Sequence, residues 1–212
     1  GAKVVIASRK QDSLDELANK LKGKGYEVCG ISCNVGNIDE LSKLVDKTVE
    51  KYGTIDILVN NAAANPVFGP IHETSLEAFD KIMNVNVKAP FELMKLCFPF
   101  LRKSSSPSVI NISSVGGISP ESGLGIYSAS KAALISMSKG FAKEWGDHKI
   151  RVNVICPGLI KTKFSEALWS NEKIMESMMK ETHIGLGTIL LSWAFVFYIA
   201  IMVTLAVNLH SI

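Results

Sequence analysis

Tyr127 and Lys131 stand four residues apart. On a helix that spacing puts both side chains on one face, where phenol and ammonium can converge on a common point. A phenol with a pKa near ~10 is a poor acid or base at neutral pH. A neighbouring cation stabilises the phenolate and moves that pKa toward the working range, making Tyr127 a usable proton donor. Upstream, Ser113-Ser114 closes an apolar run and brings a hydroxyl to the same region. By itself a Tyr-x-x-x-Lys pair is also what an ordinary helix shows with a half-buried Tyr and a surface Lys. Its place after a strand, with serines and glycines ahead of it, favours chemistry.

Three further segments carry residue types suited to a nucleotide. Ser8-Arg9 follows a short apolar run; at such a strand end an acidic residue bonds the adenosine ribose 2′-hydroxyl, whereas Arg accommodates a 2′-phosphate, so Arg9 points to NADP(H). Asn60-Asn61-Ala62-Ala63 ends another run with two amides that can tie strands together and small residues that let backbone approach a flat ligand. Cys156-Pro157-Gly158 turns the chain sharply and leads to Thr162. Each of these, taken alone, is equally an ordinary strand end or turn.

The elements that must position these groups are legible in the hydrophobic pattern. Apolar runs at Lys3–Ser8, Tyr26–Cys33, Ile55–Asn60, Ser108–Ser113 and Ile150–Cys156 read as strands. Between them, spacings of three and four predict helices at Gln11–Lys22, Ile38–Tyr52, Ser75–Arg102 and Tyr127–Trp145. Strands apolar on both faces and separated by amphipathic helices imply an α/β, Rossmann-like doubly wound parallel sheet joined by right-handed crossovers. Ligands then belong beyond the carboxyl ends of the strands, where all the candidate residues lie.

Composition narrows the function classes. In 212 residues, 47% hydrophobic and 20% charged, there is room for one globular domain or for one domain with an appendage. The 23 basic and 20 acidic side chains are interspersed and leave a net charge of +3, which supplies no basic stripe for nucleic acid. Cys29, Cys33, Cys97 and Cys156 form no Cys-x-x-Cys pair or His cluster, so neither a metal site nor a disulfide framework is expected.

Together the motifs resemble the short-chain dehydrogenase/reductase family, in its shorter-subunit branch, over roughly residues 1 to 183. They are Ser8-Arg9, Asn60-Asn61-Ala62, Asn86 within Asn84-Val-Asn86-Val, Ser114 with Tyr127-x-x-x-Lys131, and Pro157-Gly158 with Thr162. The runs Asn61-Ala-Ala-Ala-Asn-Pro66 and Pro157-Gly-Leu-Ile-Lys-Thr-Lys-Phe-Ser165 look most like NADP-dependent carbonyl and retinal reductases of the peroxisomal type. The resemblance implies hydride transfer between NADP(H) and a small-molecule carbonyl or alcohol. Tyr127 would be the proton donor and Ser114 would hold the carbonyl oxygen. Lys131 would lower the Tyr127 pKa and bind the nicotinamide ribose, and Asn86 would hold a water that relays protons. Ser8, Arg9, Asn34, Val35, Asn60, Ala62, Pro157, Gly158 and Thr162 would complete the cofactor site. It also implies a homo-oligomer paired through the helices around 79–101 and 127–145. An epimerase or dehydratase of the extended branch shares Tyr-x-x-x-Lys, but Pro157-Gly158 and Asn86 argue against it.

Two departures qualify this. The family's first strand and its Gly-rich phosphate turn would precede Gly1, and the chain reads as a piece of a longer protein whose sheet has a gap in the middle. A catalytically silent relative is the alternative. At the other end the family's last strand is absent, and Ile184 to Val207 is an uncharged run. As a helix it would span ~36 Å against a hydrocarbon core of ~30 Å. Residues 184–208 are therefore expected to form a transmembrane helix, with the reductase-like domain held in the cytosol because lysines precede the run and none follows it. A cytosolic or peroxisomal location is the alternative.

Overall fold

The computed structural model describes residues 1–160 and 203–208. The chain divides into two compact units, Gly1–Cys156 with Ile201–Ile212, and Pro157–Ala200. In the first unit strands and helices alternate: β1 (Ala2–Ser8), α1 (Gln11–Lys22), β2 (Glu27–Ser32), α2 (Ile38–Tyr52), β3 (Ile57–Asn60), α3 (Leu76–Met83), α4 (Ala89–Leu101), β4 (Ser108–Ile112), α5 (Gly125–Glu144), β5 (Arg151–Ile155) and β6 (Val203–Asn208). β1 pairs parallel with β2, and β3, β4 and β5 pair parallel in turn, so their carboxyl ends share one edge of the sheet. Ser8 lies opposite Ser32, Asn60 opposite Asn111, and Ile112 opposite Ile155.

Period-two alternation on β1 shows why the runs are apolar throughout. Val5 and Ala7 belong to the main core with Leu41, Leu58, Leu93 and Val109, while Ile6 packs on the other face with Leu14, Ala18 and Val28 under α1. The region 75–102, read from sequence as one helical stretch, is two helices. A π turn, Asn84–Lys88, joins α3 to α4 and carries Asn86. An i→i+5 turn of this kind interrupts the helical period, which hydrophobic spacing does not register.

The largest correction concerns the gap expected in the sheet. The strand order is β2-β1-β6-β3-β4-β5, with β6 antiparallel to both of its neighbours. Leu205 lies opposite Val5 on one side and Leu58 on the other. Val203–Asn208 is therefore a central strand, and the transmembrane helix predicted over 184–208 does not hold across these residues; 184–202 lie outside the described residues. Among the described residues no helix is long and apolar enough to cross a membrane. The membrane contact and membrane-anchored location read from sequence are thereby withdrawn. A continuous apolar run serves a doubly covered strand as well as a bilayer helix, and Val-Thr-Leu-Ala-Val favours the strand through its β-branched residues.

Pairing on both edges makes β6 sensitive to the loss of a backbone donor. Leu205→Pro removes an N–H from the middle of the sheet and leaves a carbonyl facing it unpaired, at an expected cost of roughly 2–3 kcal/mol. Chemical denaturation should show a lower midpoint; an unchanged midpoint would place Val203–Asn208 outside the sheet.

Candidate active site

α5 turns a mostly polar face inward: Ser128, Ser130, Lys131 and Ser138 are buried with Leu134. Small hydroxyl side chains let a helix lie close to a sheet, and their donors can be satisfied on the preceding turn. Ser138 Oγ donates to the Leu134 carbonyl at 2.6 Å, and Ser130 Oγ to the Tyr127 carbonyl at 2.6 Å. Amides on the strands extend this network. Asn60 Nδ2 donates to Asn111 Oδ1 at 2.7 Å, and Asn111 Nδ2 donates to Ser138 Oγ at 2.8 Å. β3, β4 and α5 are thus fixed to one another by buried hydrogen bonds, while Asn60 Oδ1 stays buried without a partner.

Lys131 is 2% exposed and its Nζ donates to the Ile112 carbonyl at 2.8 Å, at the carboxyl end of β4. Ser113 Oγ donates to the Lys131 carbonyl at 2.8 Å, which joins the strand end to the helix. Burial lowers the Lys131 pKa from 10.5 to about 8, opposed by the neighbouring Cys156. Its ammonium lies 5.7 Å from the centre of the Tyr127 ring. Burial raises the Tyr127 pKa; a side-chain hydrogen bond with Ser114 opposes this and Glu121 adds to it. The phenol is consequently protonated through the neutral range. The sequence expectation that Tyr127 is tuned downward is reversed in this structure, because burial outweighs the other influences on it. Ser114 Oγ accepts from the Gly116 N–H at 3.1 Å, capping the short turn Val115–Gly117 and keeping the hydroxyl beside the phenol.

Asn86 is fully buried. Its Oδ1 accepts from the Ala64 N–H at 2.7 Å, and its Nδ2 donates to the Ala64 carbonyl at 3.0 Å and to Ser130 Oγ at 3.0 Å. The amide therefore clamps the loop after β3 against the second turn of α5. Ser130 and Asn111, which sequence reasoning did not single out, are the partners that complete these links. Their signals were an i, i+3 spacing from Tyr127 and a position directly across the sheet from Asn60.

Of the other predicted residues, those of the first unit follow the carboxyl ends of β1, β2 and β3. Ser8 ends β1, its carbonyl accepting from the Cys33 N–H at 2.8 Å, and Arg9 follows with an exposed side chain. Asn34 Oδ1 accepts from the Gly36 N–H at 3.2 Å, and the Gly36 carbonyl accepts from Asn84 Nδ2 at 2.8 Å. Val35 and Ala62 pack against the main core. Pro157 and Gly158 are irregular chain after β5 and open the second unit, while Thr162 lies outside the described residues. A nicotinamide dinucleotide suits the two ends of this edge. The buried Lys131 ammonium has three donors and gives one to the Ile112 carbonyl, which leaves donors for ribose hydroxyls, and the exposed Arg9 guanidinium after β1 offers a cation to a phosphate group. Between them β6 brings its Val203 end against Ala7 and Asn60, and no strand-to-helix glycine turn occupies that place among the described residues.

Comparison with known proteins agrees with this geometry. Residues 1–173 match the family described as short chain dehydrogenase. The chain is 44% identical over 182 residues to Dehydrogenase/reductase SDR family member 4 of Homo sapiens, covering 86% of this chain and 65% of that protein. It is 43% identical over 189 residues to Tropinone reductase-like 3 of Erythroxylum coca, covering 89% of this chain and 72% of that protein. Against the human relative, then, it spans just under two thirds of the length. A solved metagenomic short-chain oxidoreductase in complex with NADP superposes with a TM-score of 0.71 at 26% identity, covering 87% of this chain and 80% of that one.

The buried ammonium has a measurable consequence for stability. Below pH 8 Lys131 is charged in folded and unfolded chains alike, and folding carries the full desolvation penalty. Between about 8 and 10.5 the folded chain releases its proton first, and the penalty fades. The interval corresponds to roughly 3 kcal/mol. Lys131→Met should therefore be more stable than the parent at pH 7 by about 1–3 kcal/mol, with the difference shrinking as pH rises through that window. Denaturation curves of both proteins at several pH values check this, since other titrating groups cancel in the difference.

Proposed function

This chain belongs to the short-chain dehydrogenase/reductase family, and from that premise we propose that it acts as an NADP(H)-dependent oxidoreductase. It moves hydride between the nicotinamide and a carbonyl or alcohol substrate of the ketone, aldehyde or retinoid class. The observation that carries the proposal is the convergence of Ser114, Tyr127 and Lys131 at the carboxyl edge of the sheet.

The reduced nicotinamide, when bound, supplies the hydride. Ser114 donates a hydrogen bond to the substrate carbonyl oxygen and fixes it beside the phenol. Tyr127 is kept protonated by burial, and it gives its proton to that oxygen as the carbonyl carbon gains hydride. Lys131 binds ribose hydroxyls through its spare donors and returns a proton toward Tyr127. A pKa brought to about 8 suits it to exchange protons near neutrality. Asn86 acts as a positioning residue for the relay, since its amide holds the Ala64 loop and Ser130 together. Arg9 with Ser8 receives the 2′-phosphate, Asn34 and Val35 border the adenine, and Asn60 and Ala62 line the remainder. Phe79 and Phe91, 39% and 38% exposed, support self-association through the helices around 79–101 and 127–145.

Tyr127→Phe removes the proton donor alone. It should lower kcat for carbonyl reduction by ~10²–10⁴-fold with NADPH affinity nearly unchanged. Turnover close to the parent's, across several carbonyl compounds, would assign the proton to another group. Arg9→Asp exchanges a charge-assisted phosphate contact for repulsion and should shift the preference from NADPH to NADH. Equal kcat/KM with the two cofactors in the parent would remove Arg9 from this role.

A further inference from the structure

Beside Tyr127, a cavity of about 160 Å³ lies between the segment after β3 and the start of α5. Val67, Phe68, Pro70, Leu124 and Ile126 make an apolar wall, Asn65, Glu73 and Thr74 add polar lining, and the cavity reaches Tyr127 itself. Phe68 is 49% exposed, so a large apolar face is left uncovered next to the reacting phenol. Such a face is suited to an apolar ligand.

Two glycines fix the wall in place. Gly123 has φ +80°, and a Cβ there would stand 2.8 Å from Phe68 Cζ. At Gly125 a Cβ would stand 2.6 Å from Ile71 Cδ1 and 2.9 Å from Ile71 Cβ, too close for the side chain to swing clear without moving as a whole. The Gly69 N–H donates to the Gly123 carbonyl at 3.1 Å, tying the two loops between these contacts. Side chains on one loop thus rest directly on bare backbone of the other, and the width of the cavity follows from that contact.

We propose that Phe68, together with Ile71 held on Gly125, determines substrate specificity by shaping a subsite for a single apolar ring whose carbonyl is on or next to the ring. Volume supports the ring, since a cavity of about 150 Å³ holds one benzene, and the ring would lie on the Phe68 side while Asn65, Glu73 and Thr74 leave polar groups for its carbonyl end. Proximity to Tyr127 supports the carbonyl's position, because a group at the far end of a long chain would lie outside proton-transfer reach. The substrate side of this inference rests on the oxidoreductase reading above; the ring subsite itself is testable by binding alone.

The probes are cyclohexanone and its open-chain counterpart butyl methyl ketone, followed by saturation-transfer NMR on the full chain without turnover. Cyclohexanone should bind more tightly than the open-chain ketone. Phe68→Ala should weaken cyclohexanone about five- to ten-fold and leave the open-chain ketone nearly unchanged, with Phe68→Tyr retaining the preference. Gly125→Ala should weaken the ring in the same way, and adding Ile71→Ala to it should restore binding, which general destabilisation would not do. Equal binding of the two ketones to the parent, or an undiminished ring preference in Phe68→Ala, would overturn the proposal. A chain that binds the ring selectively but reduces no carbonyl would refute the oxidoreductase reading and leave the subsite standing. Reduction of both ketones without selectivity would do the reverse.

Discussion

Lys131 carries its ammonium to 2% exposure, beneath the carboxyl edge of β4, where burial brings its pKa to about 8, and the surrounding site depends on holding it there. Among the described residues no carboxylate forms an ion pair with it. The Ile112 carbonyl accepts from Nζ, and Ser113 fixes the lysine's own carbonyl. A charge held this way costs stability, and such costs concentrate where a group is kept for its chemistry. Moving either β4 or α5 would release it, which is why the polar links between those elements matter.

The same burial acts with opposite consequences on the two titrating groups. It pushes the Tyr127 phenol up and the Lys131 ammonium down, so each is driven toward its neutral form. At neutral pH the phenol is then a filled proton donor, and the lysine, not the tyrosine, titrates nearest the working range. Their roles separate through environment, much as a pair of like groups can be split into acid and base by unequal surroundings. The Asn60–Asn111–Ser138 chain and the Asn86–Ser130 contact keep this geometry by using hydrogen bonds where a core would ordinarily use apolar packing.

β6 shows a different constraint, the need of two interior strand edges for a partner. β1 and β3 each present a row of backbone donors and acceptors toward the other, and an extended segment satisfies both rows at once. Entering with reversed polarity, β6 meets the backbone requirement but brings the Val203 end to the edge where the parallel strands end.

Much of this was legible in the chain. The alternation of doubly apolar runs with amphipathic helices determined the parallel pairings of β1 with β2 and of β3, β4 and β5, and the four-residue spacing of Tyr127 and Lys131 determined that a phenol and an ammonium share one helix face. Those are local periodicities, set by helix and strand geometry before any packing is known. Other features had no local signature. Tyr127 was expected to be tuned downward, but its pKa follows from burial, a property of what lies around it. Val203–Asn208 shares its apolar character with a bilayer helix; its β-branched residues lean toward a strand, and the two waiting strand edges decide it. Phe68 and Ile71 read as loop residues until Gly123 and Gly125 come within contact from more than fifty residues away in sequence. Sequence settles which groups are available and which side of an element they share; tertiary structure settles their surroundings, because desolvation, pairing and close approach are set by neighbours distant along the chain.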